Sequence, residues 1–226
     1  MQYANVISGK FISRPNRFIA KVEIEGNVET VHVKNTGRCR ELLVPGATVY
    51  LEVSDNPARK TKYDLIAVEK GSLLINMDSQ APNKVFYEWA KSSNFFGESP
   101  FIKPEFTYGK SRFDFYIESE DKKIFVEVKG VTLEENGVAM FPDAPTERGV
   151  KHLCELSAAK DEGYEAYIFF IIQMKGCHVF MPNEARHPEF AEALRYARDK
   201  GVEIFALDSK VTENSLFAEN FIEVRL

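Results

Sequence analysis

The pattern of apolar residues changes near residue 80, and this change constrains the fold more than any other feature of the sequence. Before it, short alternating apolar runs are separated by turn residues, which is typical of β-strands. After it, segments with helical spacing alternate with apolar strands. The chain of 226 residues is therefore expected to form two domains, at 1–80 and 81–226.

The first domain is expected to be all β. Its strand candidates lie at 17–24, 28–33, 47–53, 63–68 and 72–76. Gly26-Asn27 predicts a hairpin turn between the first and the second of these. Short strands without a convincing helix, in a segment of this size, favour a small barrel of the OB type.

The second domain is expected to be a mixed sheet flanked by helices, which makes the whole chain a two-domain α+β or α/β protein. Helix candidates lie at 82–92, 146–162 and 187–200, and strand candidates lie at 106–117, 124–132, 164–172 and 202–207. The run at 164–172 is too apolar for a half-exposed strand, so it should be central. We predict the order α-β-β-β-α-β in the core.

The stretch Ser111–Thr132 predicts an antiparallel hairpin with its turn at the middle. Its apolar face is expected to contain Phe113, Phe115, Ile117, Ile124, Val126 and Val128. The same register places Asp114 opposite Glu127 and Arg112 opposite Lys129, all on the other face, because side chains alternate along a strand. The hairpin should therefore have one packed face and one charged face.

Paired carboxylates on that face indicate a metal site. Like charges directly opposite each other, with Cβ atoms about 5 Å apart, are destabilising unless a cation lies between them. Mg²⁺ or Mn²⁺ suits Asp114 and Glu127, and Lys129 about 6.6 Å further along the strand could act on a water or a phosphoryl charge. The set favours metal-assisted phosphodiester hydrolysis. The alternative is a solvated hairpin face with an ordinary ion pair.

The second domain is expected to have an opening helix, a hairpin with Asp114 and then Glu127-Val128-Lys129, and a following helix and strand. This arrangement resembles the PD-(D/E)xK nuclease core. Phe113 stands where that motif has proline. The resemblance implies that all three polar residues are catalytic and that Asp114 and Glu127 hold the metal. It also implies a further acidic ligand from the opening helix, for which Glu88 is the candidate. Glu88 could instead be a surface carboxylate, and Glu105 is a weaker alternative.

A second resemblance covers almost the whole chain, to the sugar fermentation stimulation protein family, SfsA. It is carried by Asn35-Thr36-Gly37, Pro45-Gly46, Ser54-Asp55-Asn56-Pro57 with Arg59-Lys60, and above all Phe141-Pro142-Asp143-Ala144-Pro145-Thr146-Glu147-Arg148-Gly149 with Lys151-His152-Leu153. The resemblance implies an OB-like domain joined to a PD-(D/E)xK-like domain, DNA binding and regulation of sugar metabolism.

Basic residues in both domains are candidates for nucleic-acid binding. In the first domain they are Lys34, Arg38 and Arg40 after the hairpin, and Arg59, Lys60 and Lys62 in a second group, with Tyr50 and Tyr63 as stacking partners. In the second domain they are Arg148 and Lys151. Helical spacing predicts that Val150, Leu153, Cys154 and Ser157 are packed, while Arg148, Lys151, His152 and Glu155 lie on the other side.

The net charge of −5 argues at first against a phosphate-rich partner. Residues 1–80 carry 11 basic and 9 acidic residues, however, and residues 81–226 carry 18 and 25. A divalent metal would neutralise the carboxylates of the second domain, so DNA binding there should depend on metal. We expect the partner to be DNA in double-stranded form, and the oligomeric state, including a homodimer, stays open.

Cys39, Cys154 and Cys177 form no CxxC pair, which indicates a reducing compartment and a cytoplasmic address. Cys154 and Cys177 are interpreted as core residues. The sequence contains no secretion leader and no apolar run of about 18 residues, so no membrane partner is expected. Two other functions stay open: a non-catalytic DNA-binding regulator of sugar (maltose-type) metabolism, and a sugar- or nucleotide-binding module.

Overall fold

A computed structural model describes residues 1–35, 37–109 and 111–226. Thr36 of the Asn35-Thr36-Gly37 motif lies outside the described residues. The first domain contains the strands β1 (Val6–Asn16), β2 (Ile19–Ile24), β3 (Asn27–Val33), β4 (Thr48–Val53), β5 (Tyr63–Lys70) and β6 (Leu73–Asn76). Strand β1 pairs with β2 and β4, and the parallel pairing of β3 with β5 closes the barrel. The predicted OB type is confirmed.

Strand β1 was not among the predicted strands. Along it only Phe11 is buried, so the alternation that identifies a half-buried strand is missing. Register shifts after Phe11 and after Ser13 bend the strand. Gly9 permits a close approach to β2, since a Cβ atom there would lie 2.5 Å from a methyl carbon of Val22. The sequence pattern therefore does not reveal this long strand, which contains Gly9, Arg14 and Pro15.

The second domain contains the helices α1 (Ala81–Ser92), α2 (Glu147–Asp161) and α3 (Pro188–Asp199). Its strands are β7 (Phe101–Tyr108), β8 (Ser111–Ser119), β9 (Lys122–Val131), β10 (Leu133–Glu135), β11 (Val138–Phe141), β12 (Glu165–Ile172), β13 (Val179–Pro182), β14 (Glu203–Thr212), β15 (Ser215–Phe221) and β16 (Glu223–Val224). The main sheet has the order β15-β14-β12-β9-β8-β7, and a smaller sheet has the order β10-β11-β13-β16.

Strand β12 is central, as predicted, and is parallel to both β9 and β14. Phe169 and Ile171 pack on the side of α1, while Ile168 and Phe170 pack on the side of α2 and α3. The main sheet is therefore covered by helices on both faces. The predicted order α-β-β-β-α-β corresponds to α1, β7, β8, β9, α2 and β12, with the short β10 and β11 inserted before α2.

The helices begin and end within one residue of the predicted bounds. The strand predicted at 106–117 is wrong, because Gly109 with a φ of 57° ends β7 and a new strand begins at Ser111. Among the described residues, no helix is both long and apolar enough to cross a bilayer.

The domains are joined by hydrogen bonds between buried polar groups. The Gln173 side-chain amide donates to the backbone oxygen of Asn76 (3.1 Å), to its side-chain oxygen (3.0 Å) and to the backbone oxygen of Asp78 (3.1 Å). The backbone N–H of Tyr3 donates to Asn214 at 2.8 Å, so the first residues lie along the second domain although the predicted division at 80 assigns them to the barrel. Lys70 and Glu134 form a further bridge of 2.8 Å.

Candidate functional site

The hairpin of β8 and β9 has the predicted register over its closed end, where Phe115 pairs with Val126 and Ile117 with Ile124. At this closed end, the prediction that the face opposite Phe115 is charged is wrong. Tyr116 is buried on that face and packs against an aromatic cluster. Both faces are covered along the paired residues 115–117 and 124–126, so the charged pair Glu118 and Lys123 lies at the turn and the candidate site lies at the open end of the hairpin.

At that open end β8 turns away from the predicted arrangement. The ring of Phe113 packs 4.9 Å from the ring of Phe125, on the face opposite Phe115. Arg112 pairs with Thr107 of β7 and not with Lys129, so that part of the predicted register is wrong. The physical reason is that a side chain, not the backbone of β8, accepts the next hydrogen bond from β9.

Asp114 supplies that side chain. Its Oδ2 accepts a hydrogen bond from the backbone N–H of Val128 at 2.8 Å, and its Oδ1 accepts one from Asn83 of α1 at 2.9 Å. Burial raises the pKa of Asp114, and the nearby charge of Glu127 raises it further. The charge of Glu127 thus acts on Asp114, but the pairing of β8 with β9 ends at Phe115 and Val126 and does not include the predicted pair of Asp114 with Glu127.

Glu127 is the most buried charged group of the site, with 2% of its side chain exposed. Its Oε1 accepts hydrogen bonds from Lys129 Nζ at 2.5 Å and from His152 Nδ1. Its Oε2 is buried without a hydrogen-bond partner among the described residues. Burial acts to raise the pKa of Glu127, but the bond from His152 and the charge of Lys129 outweigh it and lower that pKa.

His152 is the site residue that the sequence analysis missed. It is buried on the inner side of α2 and not on the basic side predicted for it. Residues 149, 152, 153 and 156 form the buried stripe and follow the i, i+3, i+4, i+7 pattern of a helix face. Gly149 concealed this stripe because it has no side chain. Because the buried stripe of α2 differs from the predicted one, Cys154 is exposed and its predicted core position is wrong. Cys177 is buried.

The predicted basic residues of α2 are both exposed. Arg148 Nε donates to His152 Nε2 at 3.3 Å, which makes that nitrogen an acceptor and leaves the proton on Nδ1, facing Glu127. Lys151 lies 3.6 Å from Glu155. A chain of side chains thus runs from the surface at Arg148 through His152 to Glu127.

The structure does not bring Glu88 to this site. Its carboxylate is ion-paired with the terminal ammonium of Met1 and is half exposed. Glu105 is exposed and contacts Arg112 at 3.4 Å. From α1 it is Asn83, an uncharged residue, that reaches the candidate metal ligands. Within the described chain no group of three or more His, Cys, Asp and Glu residues is arranged to hold a metal.

The residues that do meet fit a hard divalent cation. Mg²⁺ is commonly bound by only one or two protein carboxylates, with waters and substrate phosphate completing its octahedron. Asp114 and Glu127 provide that number, and the buried Oε2 of Glu127 lacks the partner that a buried carboxylate oxygen requires. A third protein carboxylate is not needed.

The predicted basic patch of the barrel divides into two kinds of residue. Lys34 Nζ lies 3.1 Å from Glu52, 3.4 Å from Asp64 and 3.5 Å from Asp78. Arg59 donates to both oxygens of Asp64, at 2.8 and 2.5 Å. These cations neutralise carboxylates of the protein itself. Arg38, Arg40, Lys60 and Lys62 are exposed.

The predicted stacking partners are not available on the surface. Tyr50 and Tyr63 are each 8% exposed, and the Tyr50 hydroxyl donates to Glu69 at 2.8 Å. The prediction that they stack on nucleic-acid bases is therefore wrong. Phe18, in the turn from β1 to β2, is 46% exposed. The strand predicted at 17–24 includes Phe18, which the structure places in the turn before β2 instead.

Two family models match this chain. The model described as the SfsA N-terminal OB domain matches residues 12–77, and the model described as the sugar fermentation stimulation protein RE domain matches residues 80–215. The chain belongs to the SfsA family. A sugar fermentation stimulation protein homolog of Desulfitobacterium hafniense strain Y51 is 63% identical over 226 residues, covering 100% of this chain and 99% of that protein.

Other relatives also match this chain along its full length. The homolog from Clostridium beijerinckii is 57% identical over 226 residues and is covered completely, as is this chain. The solved structure of Pyrococcus furiosus SfsA in complex with Ca²⁺ superimposes with a TM-score of 0.91 at 31% identity, covering 100% of this chain and 98% of that one. The two-domain SfsA architecture is therefore shown for this chain.

Proposed function

We propose that this SfsA protein is a DNA-binding nuclease that hydrolyses phosphodiesters with Mg²⁺ or Mn²⁺ held by Asp114 and Glu127. The observation that carries the proposal is the buried Oε2 of Glu127, which has no partner among the described residues and belongs to a carboxylate close to Asp114. A buried ionised oxygen without a donor is costly, and a bound cation would satisfy it.

A second observation supports the choice of ion. The solved structure of the Pyrococcus furiosus relative is of a complex with Ca²⁺. Ca²⁺ and Mg²⁺ are both hard cations that bind oxygen ligands. Carboxylates without a cysteine ligand suit such an ion better than zinc.

The metal, when bound, would polarise the scissile phosphate and lower the pKa of a bound water. The protein residues position the metal ligands and balance the charge around the metal. Lys129 holds its ammonium 2.5 Å from Glu127 and contributes positive charge where a phosphoryl group would gain negative charge. Asn83 fixes the orientation of Asp114, and Asp114 in turn ties β8 to β9 through Val128.

Binding of Mn²⁺ measured by calorimetry tests the metal site. We expect the wild-type protein to bind Mn²⁺. Asp114→Asn and Glu127→Gln should each lose at least about tenfold in affinity, because the loss of a residue that only hydrogen-bonds a metal ligand already costs about 10–100-fold. Glu88→Gln is the matched control, because its carboxylate lies with Met1 and should not affect the metal. A wild-type protein that binds no divalent metal would overturn the proposal.

A cleavage assay on plasmid, linear and single-stranded DNA then tests catalysis. Lys129→Met should keep its Mn²⁺ affinity to within a few-fold and lose cleavage, because Lys129 is proposed to act on the reacting groups and not on the metal. Cleavage by Lys129→Met at the wild-type rate would remove Lys129 from the reaction.

A non-catalytic DNA-binding regulator is the second candidate function. It is favoured by the absence of a third ligating residue in the described chain. The ammonium of Lys129 and the hydrogen bond from His152 also stabilise ionised Glu127 without a metal. The relatives' name, sugar fermentation stimulation protein, also fits a regulator. Under this function, Glu127→Gln leaves both DNA affinity and the cellular effect on sugar use unchanged.

A further inference from the structure

The barrel surface around Arg14 carries cations that are not neutralised by the protein. Among the residues that the structure describes, Arg17, Arg38 and Arg40 are exposed and form no ion pair, in contrast to Lys34 and Arg59. They surround a cavity of about 220 Å³ lined by Arg14, Asn16, Arg17, Gly37, Arg38, Arg40 and Leu43. A concave site with several guanidinium groups suits phosphate.

Arg14 holds this cavity in shape. Its guanidinium donates to the backbone oxygens of Asn35 (2.5 Å), Gly37 (2.7 Å), Arg38 (2.8 Å) and Arg17 (2.8 Å). One side chain thereby ties the turn after β1 to the loop after β3. Arg17 and Arg38, one on each segment, are kept beside each other although they are far apart in sequence.

An exposed aromatic ring lies next to these arginines. Phe18 is 46% exposed, and the Arg17 guanidinium carbon lies 4.8 Å from the centre of its ring. The turn that presents the ring is ordered, because the Asn16 side chain accepts hydrogen bonds from the backbone N–H groups of Phe18 (2.9 Å) and Ile19 (3.1 Å). The ring is thus a fixed apolar surface at the rim of a cationic cavity.

A second cavity adjoins the cationic cavity at Gly37. Gly37 also lines a second cavity of about 180 Å³ between the domains, whose other walls include Asn35, Asp143 and Gly130. Gly130 directly follows Lys129 in β9. A chain of nucleotides could therefore run from Phe18 past Gly37 to the open end of the hairpin.

From these contacts we infer that the barrel binds single-stranded nucleic acid. One base stacks on Phe18, and the phosphates of the strand contact Arg17, Arg38 and Arg40. The exposed ring of Phe18 favours single-stranded over double-stranded nucleic acid. Base faces are covered in a duplex, so only an unpaired base can stack on a surface ring, whereas arginines alone would suit either form. The inference deepens the proposed function, on which it rests for the role of the strand at Asp114 and Glu127.

Fluorescence anisotropy without added metal tests the inference separately from catalysis. The probes are a short labelled oligothymidylate and a duplex of the same length. We expect the wild-type protein to prefer the oligothymidylate, Phe18→Ala and Phe18→Leu to weaken that binding by at least about fivefold, and Phe18→Trp to retain it. Val28→Ala is the matched control, since Val28 is an exposed apolar residue elsewhere on the barrel, 62% exposed.

The arginines give an independent readout. Arg17→Ala and Arg38→Ala should each reduce the slope of log affinity against log salt by about 0.7, because one phosphate contact with a single strand is lost. Lys10→Ala, a cation that contacts Thr48, should leave the slope unchanged. Unchanged oligothymidylate binding in Phe18→Ala and Phe18→Leu, or tighter binding of the duplex by the wild-type protein, overturns the inference.

The binding assay also distinguishes this inference from the proposed function. A protein that binds Mn²⁺ and cleaves DNA but is insensitive to Phe18 refutes the strand site alone. A protein that binds the strand through Phe18 but neither binds Mn²⁺ nor cleaves refutes the nuclease alone.

Discussion

His152 of α2 donates from Nδ1 to the carboxylate of Glu127 in β9, across a separation of 25 residues in the sequence. The bond occupies the oxygen that also accepts from Lys129. The second oxygen of Glu127 is buried without a hydrogen-bond partner among the described residues, and it is the oxygen that we propose binds the metal. His152 is thus a positioning residue for the proposed metal ligand.

Substitutions of His152 by the two amides test this positioning role. The asparagine amide is close in position to Nδ1, so His152→Asn should preserve most of the Mn²⁺ affinity. His152→Gln places its amide nearer Nε2 and should lower the affinity by about tenfold or more, as His152→Ala should. Calorimetry with Mn²⁺ measures the difference, with the exposed His178→Asn as control. Equal losses in all three His152 variants would indicate a merely structural effect.

Asp64 of the barrel should contribute a pH-dependent part of the stability. It is 2% exposed, and its pKa is lowered to about 2, since hydrogen bonds from Arg59 and His32 and the charge of Lys34 overcome the opposing effect of burial. A depressed pKa stabilises the folded state above the unfolded value of about 4, and the contribution is lost as the pH falls through 2.

Urea unfolding across this range should show the effect. Asp64→Asn is expected to lose about 2 kcal/mol relative to the wild-type protein near neutral pH and progressively less between about pH 4 and pH 2. Asp55→Asn, at an exposed aspartate, should show no such trend. A difference between Asp64→Asn and the wild-type protein that does not vary with pH would contradict this assignment.

Lys34 should stabilise the protein more than it contributes to DNA affinity. Its ammonium lies between Asp64 and Asp78, each only 2% exposed, and also contacts Glu52. Lys34→Met leaves these carboxylates without their cation and should cost about 3 kcal/mol of unfolding free energy. Lys60→Met, at an exposed lysine, should cost less than about 0.5 kcal/mol.

The competing role of Lys34 in nucleic-acid binding has a different signature. If Lys34 contacts phosphate, Lys34→Met lowers the salt slope of DNA binding and leaves the urea midpoint unchanged. Arg38→Ala serves as the comparison, because we expect it to lower the slope without changing stability.

Gly130 should be intolerant of a side chain. A Cβ atom there would lie 2.5 Å from Gln173 Oε1 and 2.6 Å from Pro82 Cγ, so Gly130→Ala must displace α1 or the Gln173 amide. We expect a loss of about 1–3 kcal/mol in urea unfolding. The double variant Gly130→Ala, Pro82→Ala should lose less than the sum of the single losses, because part of the clash is removed. Additive losses would show that Pro82 is not the obstacle.

The parts of the molecule that the sequence predicted are those with local, periodic signals. Alternating residues on both sides of a polar turn fixed the pairing of Phe115 with Val126, and helical spacing with a following glycine located α2 and α3. The predicted pairing of Asp114 with Glu127 lies beyond this register, which ends at Phe115 and Val126. Strand β1 was missed because its long bent course buries little besides Phe11.

Other parts depend on contacts that the local pattern does not contain. His152 was assigned to the wrong side of α2 because Gly149 interrupts the apolar stripe, and its partner lies in another element. Glu88 was expected beside the metal, but its position on α1 turns it toward Met1. The ion pairs of Lys34 required the fold of the barrel to be known, since none of its partners is a sequence neighbour.

The three hydrogen bonds from the Gln173 amide to Asn76 and Asp78 have a kinetic consequence. Because these bonds are buried, opening the domains would expose several polar groups at once, so the two domains should move as one body on the timescale of substrate binding. The cavity between the domains would then keep its shape when a strand binds.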